Sequence, residues 1–534
     1  MNKIFRRLVE QRGFGDDFLH PKYENLANPF ELPDMEAAVS RILKAISDKE
    51  KILIYGDYDV DGVTASTVLS DALALAGVGE VKIMLPDRFV DGYGMSPKIV
   101  ECVKNEGVSL VLTVDCGSAN AAIIEELKTI GVDTVVTDHH ECPEELPPAV
   151  AVVNPKRKDY NGFRDLAGVG VAFKVAQALV AKNAIPAGQE KWLLDLVLIG
   201  TICDNMPLKG ENRILGFYGV KVLEKTRRPG LLELMHLANV KKINAETIGF
   251  QIGPRLNAAG RIESADLALN LLRAKNRAEG ASLAQKLEIL NSERKEQQRA
   301  AVKEIDTRGV SDEPVIIEVG EWHEGILGII AGRLVESYHK PAFVLSEVTE
   351  GVLKGSGRSF GDFSLAEALD SCRDILINGG GHAGAAGVKL ERENLYAFRE
   401  RINEYYCSLK LVDQEKYLYM HEDLIVDDFD DLSLELIEEL RQLEPFGEGN
   451  LEPIFKLENV EVDEVRRMGA DGQHLCLMVR DRKGNRIKLV AFYAPAEWFE
   501  VQPGDERSIL MQVTENEWNG ACSAEGRIVD MLIM

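Results

Sequence analysis

The run Asp57-Tyr58-Asp59-Val60-Asp61 sets three carboxylates at i, i+2 and i+4. While the backbone stays extended, a period of two turns all three to one side. Carboxylates held this close repel and raise each other's pKa, a cost that a divalent cation removes. A helix-capping turn accounts for one Asp and leaves two unexplained. Asp115 stands after the apolar run Leu110–Val114, ahead of Cys116-Gly117-Ser118. Asp138-His139-His140 closes another apolar run, in a chain with only nine histidines. Imidazole is a common transition-metal ligand, and a neighbouring carboxylate fixes its tautomer and orientation. Asp204 follows the apolar segment 193–202. Mixed Asp and His donors suit Mn²⁺, with Mg²⁺ the main competitor. Two such cations close together activate a water and stabilise the leaving oxygen of a phosphodiester.

These residues need strand ends to hold them. Apolar runs at 51–55, 81–85, 109–114, 133–137 and 150–153 alternate with segments of helical pattern such as 64–76 and 119–130. That alternation predicts an α/β domain with a doubly wound, mainly parallel sheet. Ligand sites of such sheets form beyond the carboxyl ends of the strands, where Asp57, Asp115 and Asp138 fall. Gly62 permits the turn into a helix starting near Thr64. The polar stretch 278–306 has no Pro and a single Gly, Gly280, and predicts a long solvent-exposed helix linking two domains. A second, smaller α/β unit follows, with a strand at 315–319, a helix at 326–337 and the cluster Asn378-Gly379-Gly380-Gly381-His382-Ala383-Gly384-Ala385-Ala386-Gly387. From residue 453 five strands in about eighty residues (453–460, 474–479, 486–492, 507–513, 521–528) predict a small OB-like β-barrel. The expected boundaries are a phosphoesterase domain at 1–276, a connecting helix at 277–308, the second domain at 309–406, a linker at 407–452 and the barrel at 453–534.

Composition narrows the class. Of 534 residues 45% are hydrophobic, with no apolar run long enough to span a membrane. No apolar segment follows Met1-Asn2-Lys3-Ile4-Phe5-Arg6-Arg7 that could act as a signal peptide. The eight cysteines form no CxxC pair, so free thiols in a reducing cytoplasm are expected and a zinc site is not. A net charge of −25 argues against a generic nucleic-acid coat protein, though not against a nuclease whose carboxylates are compensated locally. The acidic stretch 422–439 reads as a solvated linker and helix face.

The segment Gly56-Asp57-Tyr58-Asp59-Val60-Asp61-Gly62, then Asp115, Asp138-His139-His140 and Asp204, resembles the four ordered motifs of the DHH phosphoesterase superfamily. The glycine cluster with His382 resembles the signature of the accompanying DHHA1 domain. Pro86-Asp87-Arg88, Gly92-Tyr93-Gly94, Leu166-Ala167-Gly168-Val169-Gly170, the run from Gly253 to Arg261, Gly355-Ser356-Gly357-Arg358-Ser359, Glu444-Pro445-Phe446-Gly447-Glu448-Gly449-Asn450 and Asn516-Glu517-Trp518-Asn519-Gly520 narrow the resemblance to the bacterial RecJ family of single-stranded-DNA-specific exonucleases. It covers the chain from about residue 10 onward. Val60 stands where many relatives carry Ala, and an extra C-terminal domain of some relatives is not expected.

The resemblance implies 5′-to-3′ hydrolysis of single-stranded DNA to nucleoside 5′-monophosphates in repair and recombination. Asp57, Asp59, Asp61, Asp115, His139 and Asp204 would hold two cations, with Asp115 bridging. His140 would lie against the scissile phosphate and Asp138 would orient the histidines. Ser356 and Arg358 would hold the 5′-terminal phosphate. Arg88, Arg255, Asn257 and Arg261 would contact the DNA backbone, and His382 would lie near the cleft between the domains. Trp518 serves either as barrel core or as a base-stacking platform. The partners implied are single-stranded DNA, a single-strand-binding protein and a RecQ-type helicase, for a cytoplasmic monomer with no membrane. Two rival readings are a relative acting on short oligonucleotides, cyclic dinucleotides or pyrophosphate, and a non-catalytic replication scaffold. The long helix and barrel oppose the first, and the complete ligand set opposes the second.

Overall fold

The protein is described by a computed structural model covering residues 1–79, 81–412, 414–418, 420–518 and 520–532. It divides into two compact units. One comprises residues 28–206 and 221–418, and the other comprises 1–27, 207–220 and 419–534.

The larger unit opens on a five-stranded sheet, β1 (Ile52–Tyr55), β2 (Lys82–Met84), β3 (Leu110–Val114), β4 (Asp133–Thr137) and β5 (Ala151–Val153). All pairings are parallel, in the order β2-β1-β3-β4-β5. β1 and β3 are buried along their whole length. Strands covered on both faces read as unbroken apolar runs, which is why the sequence shows no alternation there. Register pairs Tyr55 with Thr113 and Val114 with Thr137. The chain therefore leaves β1, β3 and β4 at nearly the same level, and Asp57, Asp115 and Asp138 emerge side by side. The strand order reverses between β1 and β3, the place where such sheets bind ligands. Helices Val60–Leu75, Gly168–Ala181 and Leu194–Cys203 pack against one another, and each is buried along most of its length.

The polar stretch forms one helix, Arg277–Arg308, capped at its start by the Asn276 side chain on the Glu279 amide. Beyond it lies a mixed sheet of β6 (Ile316–Gly320), β7 (Ala342–Thr349), β8 (Val352–Arg358), β9 (Leu376–Gly381) and β10 (Ala385–Glu391), ordered β6-β7-β8-β10-β9. Only β6 and β7 run parallel. Phe343 and Leu345 meet Phe398 and Ile402 on one face, while Val344 and Ile316 meet Leu327, Ile330 and Leu334 on the other. The glycine cluster becomes the β9–β10 hairpin, with His382 at its tip donating its backbone N–H to the Ala385 carbonyl at 2.8 Å.

The smaller unit holds β11 (Leu424–Ile425), β12 (Phe455–Met468), β13 (His474–Arg480), β14 (Arg486–Ala491), β15 (Glu506–Trp518) and β16 (Ala521–Leu532). Strands β12 to β16 close through β12–β15 pairing into a five-stranded barrel, as expected of an OB-like fold. Two expectations change. The expected linker at 407–452 contains a helix, Leu434–Leu440, whose Leu436, Ile437 and Leu440 enter the barrel core together with Leu443. Its acidic residues hid a helical stripe of leucines. The first 27 residues pack here as well: Ile4, Phe5 and Leu8 join the same core, and Arg12 pairs with Asp423 at 2.6 Å. Arg213, nearly fully buried, donates to the carbonyls of Phe18, Gln442 and Glu444. A domain running unbroken from residue 1 to 276 therefore does not describe this packing.

Candidate active site

The acidic run does not stay extended. β1 ends at Tyr55, and the helix begins at Val60, four residues earlier than expected. Asp59 caps that helix, its carboxylate accepting the Gly62 N–H at 3.0 Å. Asp57 remains in the strand-to-helix turn, and Asp61 sits in the first helical turn. The three carboxylates thus spread over the mouth of the sheet instead of lining one side. Asp61 accepts the Gly168 N–H at 2.6 Å and the Val169 N–H at 2.9 Å, so it caps the second helix. Gly168 is required: a Cβ there would lie 2.6 Å from the Asp115 Cβ. Asp115 itself adopts left-handed backbone geometry, φ 60°, which turns it off β3.

Asp138 is engaged in hydrogen bonds and belongs to none of the candidate cation groups among the described residues. Its Oδ1 accepts the His139 N–H at 2.8 Å and the His140 Nδ1–H at 2.9 Å, and its Oδ2 accepts the Ser118 N–H at 2.9 Å. Burial alone would raise its pKa, but the hydrogen bond from His140 and the histidine charges hold it well below the carboxylate range. The same bond lifts His140 against its burial, to about 9. His139 goes the other way: burial and the charge of His140 lower it to about 4. One histidine is therefore a neutral donor and its neighbour a cation. Asn154, after β5, donates to Ser118 Oγ and to the His140 carbonyl, both at 2.9 Å. Sequence reasoning missed Asn154, whose one signal is its place at a fifth strand end.

The remaining donors fall into two groups whose ligand atoms lie within 4.8 Å of one another: Asp57, Asp59 and Asp115; and Asp61, His139 and Asp204. The groups adjoin, since His139 Nε2 lies 3.0 Å from Asp115 Oδ1, 3.6 Å from Asp204 Oδ2 and 3.7 Å from Asp61 Oδ2. Asp115, His139 and His140 form a third group by distance, but His140 Nδ1 is already engaged by Asp138. Asp57 Oδ1, Asp115 Oδ1, His139 Nε2 and Asp204 Oδ2 are buried without a hydrogen-bond partner. Each such atom costs about 1–3 kcal/mol unless something binds it. Burial and mutual repulsion push Asp57 and Asp115 far above the carboxylate range, Asp61 to about 7 and Asp204 to about 9. Hard oxygen donors, one neutral imidazole and unsatisfied buried lone pairs fit two adjacent divalent cations.

A cluster of arginines lies next to this cradle. Arg88 stacks 4.0 Å from the centre of the Tyr58 ring and donates to the Gly260 carbonyl at 3.0 Å. Arg261 donates to the Gly325 carbonyl at 3.1 Å. Burial, then the charges of Arg88, Arg294 and Arg358, lower it to about 9. Arg358 donates to Ser356 Oγ at 3.2 Å, and a Cβ at Gly328 would lie 2.9 Å from both side chains. Arg294 projects from the long helix, held by Asn291 at 3.1 Å, with its Nε unsatisfied. Among the described residues none of these four arginines forms an ion pair. Arg294 was missed because a long polar helix carries many charges and gives no sign which one turns inward.

Other expected contacts separate from this cluster. Arg255 is bound to Glu288 of the long helix and to the Gln251 carbonyl, which makes it a structural tie. Asn257 keeps a buried, unpartnered Oδ1. His382 is exposed at its hairpin tip opposite Ala385, which pairs with Arg358, so β10 lies between His382 and Arg358. Trp518 ends β15, and its side chain lies outside the described ones.

A parallel sheet with this ligand set at its switch point defines a DHH-type phosphoesterase. The model of the DHH family, N-terminal domain, matches residues 51–201, the DHHA1 domain 312–407 and the RecJ OB domain 425–530. The single-stranded-DNA-specific exonuclease RecJ of Bacillus subtilis is 38% identical over 98% of this chain and 67% of its own. That of Escherichia coli is 33% identical over 85% and 82%. A crystal structure of RecJ from Thermus thermophilus with Mn²⁺ superposes with a TM-score of 0.86 at 30% identity, covering 100% of this chain and 76% of the other. A second structure of the same protein holds Mg²⁺, with a TM-score of 0.80. The chain belongs to the RecJ family.

Proposed function

We propose that the protein is a metal-dependent exonuclease that degrades single-stranded DNA from its 5′ end and releases nucleoside 5′-monophosphates. The carrying observation is the adjacency of two seats of opposite charge. The carboxylate and His139 cradle flanks Tyr58 on one side, and Arg88, stacked on Tyr58, begins the unpaired arginine cluster on the other. A terminal phosphate held by Arg88, Arg261, Ser356 and Arg358 sets the next phosphodiester near the cradle, so each cut removes one residue.

Divalent cations, Mn²⁺ ahead of Mg²⁺, would be held by Asp57, Asp59, Asp61, Asp115, His139 and Asp204, and when bound supply an activated water and neutralise the leaving oxygen. Asp115, the member of one group that lies within 3.0 Å of the other, is placed to be shared. His140, kept protonated by Asp138, presents its Nε2–H to a non-bridging phosphate oxygen. Asp138 accepts the backbone N–H groups of His139 and His140 and the His140 Nδ1–H on one oxygen, and so fixes the His140 imidazole and the backbone that carries His139. None of these contacts reads a base edge, so sequence preference is absent.

Among the described residues no helix is long and apolar enough to cross a membrane. As a repair enzyme the protein works in the cytoplasm as a monomer, on strands opened by a RecQ-type helicase and covered by single-strand-binding protein. Light scattering on the purified chain tests the monomer. The central test is digestion with Mn²⁺ of 5′-labelled single-stranded, double-stranded and dinucleotide DNA. Single strands should be degraded with label released first as mononucleotide, and Asp115→Ala should abolish it. Equal loss of duplex, or activity confined to dinucleotides, overturns the proposal.

A further inference from the structure

A cavity of about 630 Å³ lies in the larger unit at the end of the helices away from the cation cradle. Helix Val60–Leu75 carries Asp61 in its first turn and contributes Ser70, Asp71 and Leu75 to the cavity wall. Helix Leu194–Cys203 runs in the opposite sense, with Asp195 at the cavity and Asp204 just past its last turn. A sixteen-residue helix spans roughly 24 Å, so the cavity is remote from the chemistry. Arg228 ties the two helix ends together, reaching Asp71 at 2.8 Å and Asp195 at 3.1 Å. Thr226 adds a hydrogen bond to Asp195 at 2.7 Å.

What remains in the cavity is positive and aromatic. The Arg227 guanidinium stacks 3.7 Å from the centre of the Trp192 ring. Among the described residues no carboxylate pairs with Arg227 or with Arg273, which also lines the wall. Arg228 bridges Asp71 and Asp195, so the described wall sets three arginines against two carboxylates, a positive excess of one in a chain of net charge −25, with Arg227 and Arg273 in no ion pair among the described residues. Guanidinium forks match phosphate oxygens, and an indole with a stacked guanidinium makes a flat wall for a planar base. The volume lies in the range of small-ligand sites.

From this geometry we infer that the cavity is a regulatory nucleotide site, taking a base against Trp192 and Arg227 and phosphates on Arg227 and Arg273. Phosphate beside Arg227, the chain neighbour of Arg228, competes with Asp71 and Asp195 for the Arg228 guanidinium and so perturbs the Asp71–Arg228–Asp195 clamp. Any resulting slide of the two helices is felt at their other ends, by Asp61 and Asp204. The inference does not depend on which phosphodiester the cradle hydrolyses, because binding is read without metal.

The test uses the full chain in EDTA, titrated calorimetrically with ADP and, for comparison, with pyrophosphate. ADP should bind one site at micromolar concentration, and pyrophosphate at least tenfold more weakly. Arg273→Gln and Trp192→Leu should each weaken ADP at least tenfold, whereas Arg358→Gln should leave it unchanged. With Mn²⁺ present, saturating ADP should change the rate on long single strands at least twofold in the parent and not in Arg273→Gln, whose rate without ADP stays at the parent level. Loss of ADP binding in Arg358→Gln but not in Arg273→Gln would place the nucleotide in the arginine cluster and overturn the inference. So would no binding, equal affinity for pyrophosphate, or binding with no change in rate.

Discussion

At the scale of single residues, the site combines acids that cannot all ionise with a histidine pair split by one carboxylate. The sign of the pH dependence follows. Asp61 and Asp204 have folded pKa values raised to about 7 and about 9 from 3.8. Without metal, the stability they contribute is fully present below pH 4 and is lost as pH rises through 7 and then 9. Cations bind the deprotonated acids, so they reverse that loss. Thermal unfolding in EDTA should show a lower Tm at pH 8.5 than at pH 6. Mn²⁺ should raise Tm more at pH 8.5, and Asp204→Asn should flatten the metal-free trend. A Tm in EDTA that rises with pH contradicts the assignment. Asp138 acts through its neighbours, and Asp138→Asn should lower kcat by about ten- to a hundredfold. In Asp138→Asn His140 also loses the charge that holds its proton, so the alkaline limb of the kcat profile should move down in pH. An unchanged limb would mean that His140 does not carry the proton.

At the scale of elements, much could be read directly. The three strand-end motifs at Asp57, Asp115 and Asp138 stood out because a parallel sheet buries its strands on both faces and leaves polar residues only where the chain emerges, and Asp204 stood out at the end of an equally buried helix. The geometry of Asp57, Asp59 and Asp61 was not legible. Period-two reasoning assumes an extended backbone, yet Asp59 is a better helix cap than strand residue and starts the helix four residues early. The partner of Asp61 is the amide pair at Gly168 and Val169, more than a hundred residues away, a distance no local pattern encodes. Gly168 therefore gives a sharp test. Gly168→Ala places a methyl against Asp115 and should cost about 1–3 kcal/mol of stability, the usual penalty of overpacking. It should also cut activity well beyond what that loss explains, read as kcat at a temperature where the variant is fully folded. Full activity would show that Asp115 tolerates displacement. The N-terminal helix is a second element whose place was hidden, since nothing near Phe5 signals a partner over four hundred residues later. Phe5→Ala should destabilise the unit that contains the barrel by about 3–5 kcal/mol. Hydrogen exchange should show faster exchange in β12 to β16 with β1 to β5 unchanged.

At the scale of the whole molecule, charge sets the terms on which DNA approaches. A net charge of −25 repels a polyanion at long range, so attraction must come from the few uncompensated arginines. Four of them, Arg88, Arg261, Arg294 and Arg358, sit together without carboxylate partners, while Arg255 is spent on Glu288. Local order in the sequence separated these two fates poorly, because Arg255 and Arg261 share one motif and one helix, and only the long helix, by offering Glu288 to one and Arg294 to the other, distinguishes them. Each phosphate contact on a single strand contributes about 0.7 to the slope of log affinity against log salt. Binding to a 5′-phosphorylated single strand in Ca²⁺ should therefore weaken with salt, and Arg261→Gln and Arg358→Gln should each reduce the slope by about that amount. Removing the 5′-phosphate from the DNA should weaken the parent but leave Arg358→Gln nearly unaffected, because the variant has already lost the group that reads it. Arg255→Gln should change Tm and leave the salt slope alone. If Arg255→Gln lowered the slope and Arg358→Gln did not, the phosphate would be held along the long-helix tie instead of by the arginine cluster.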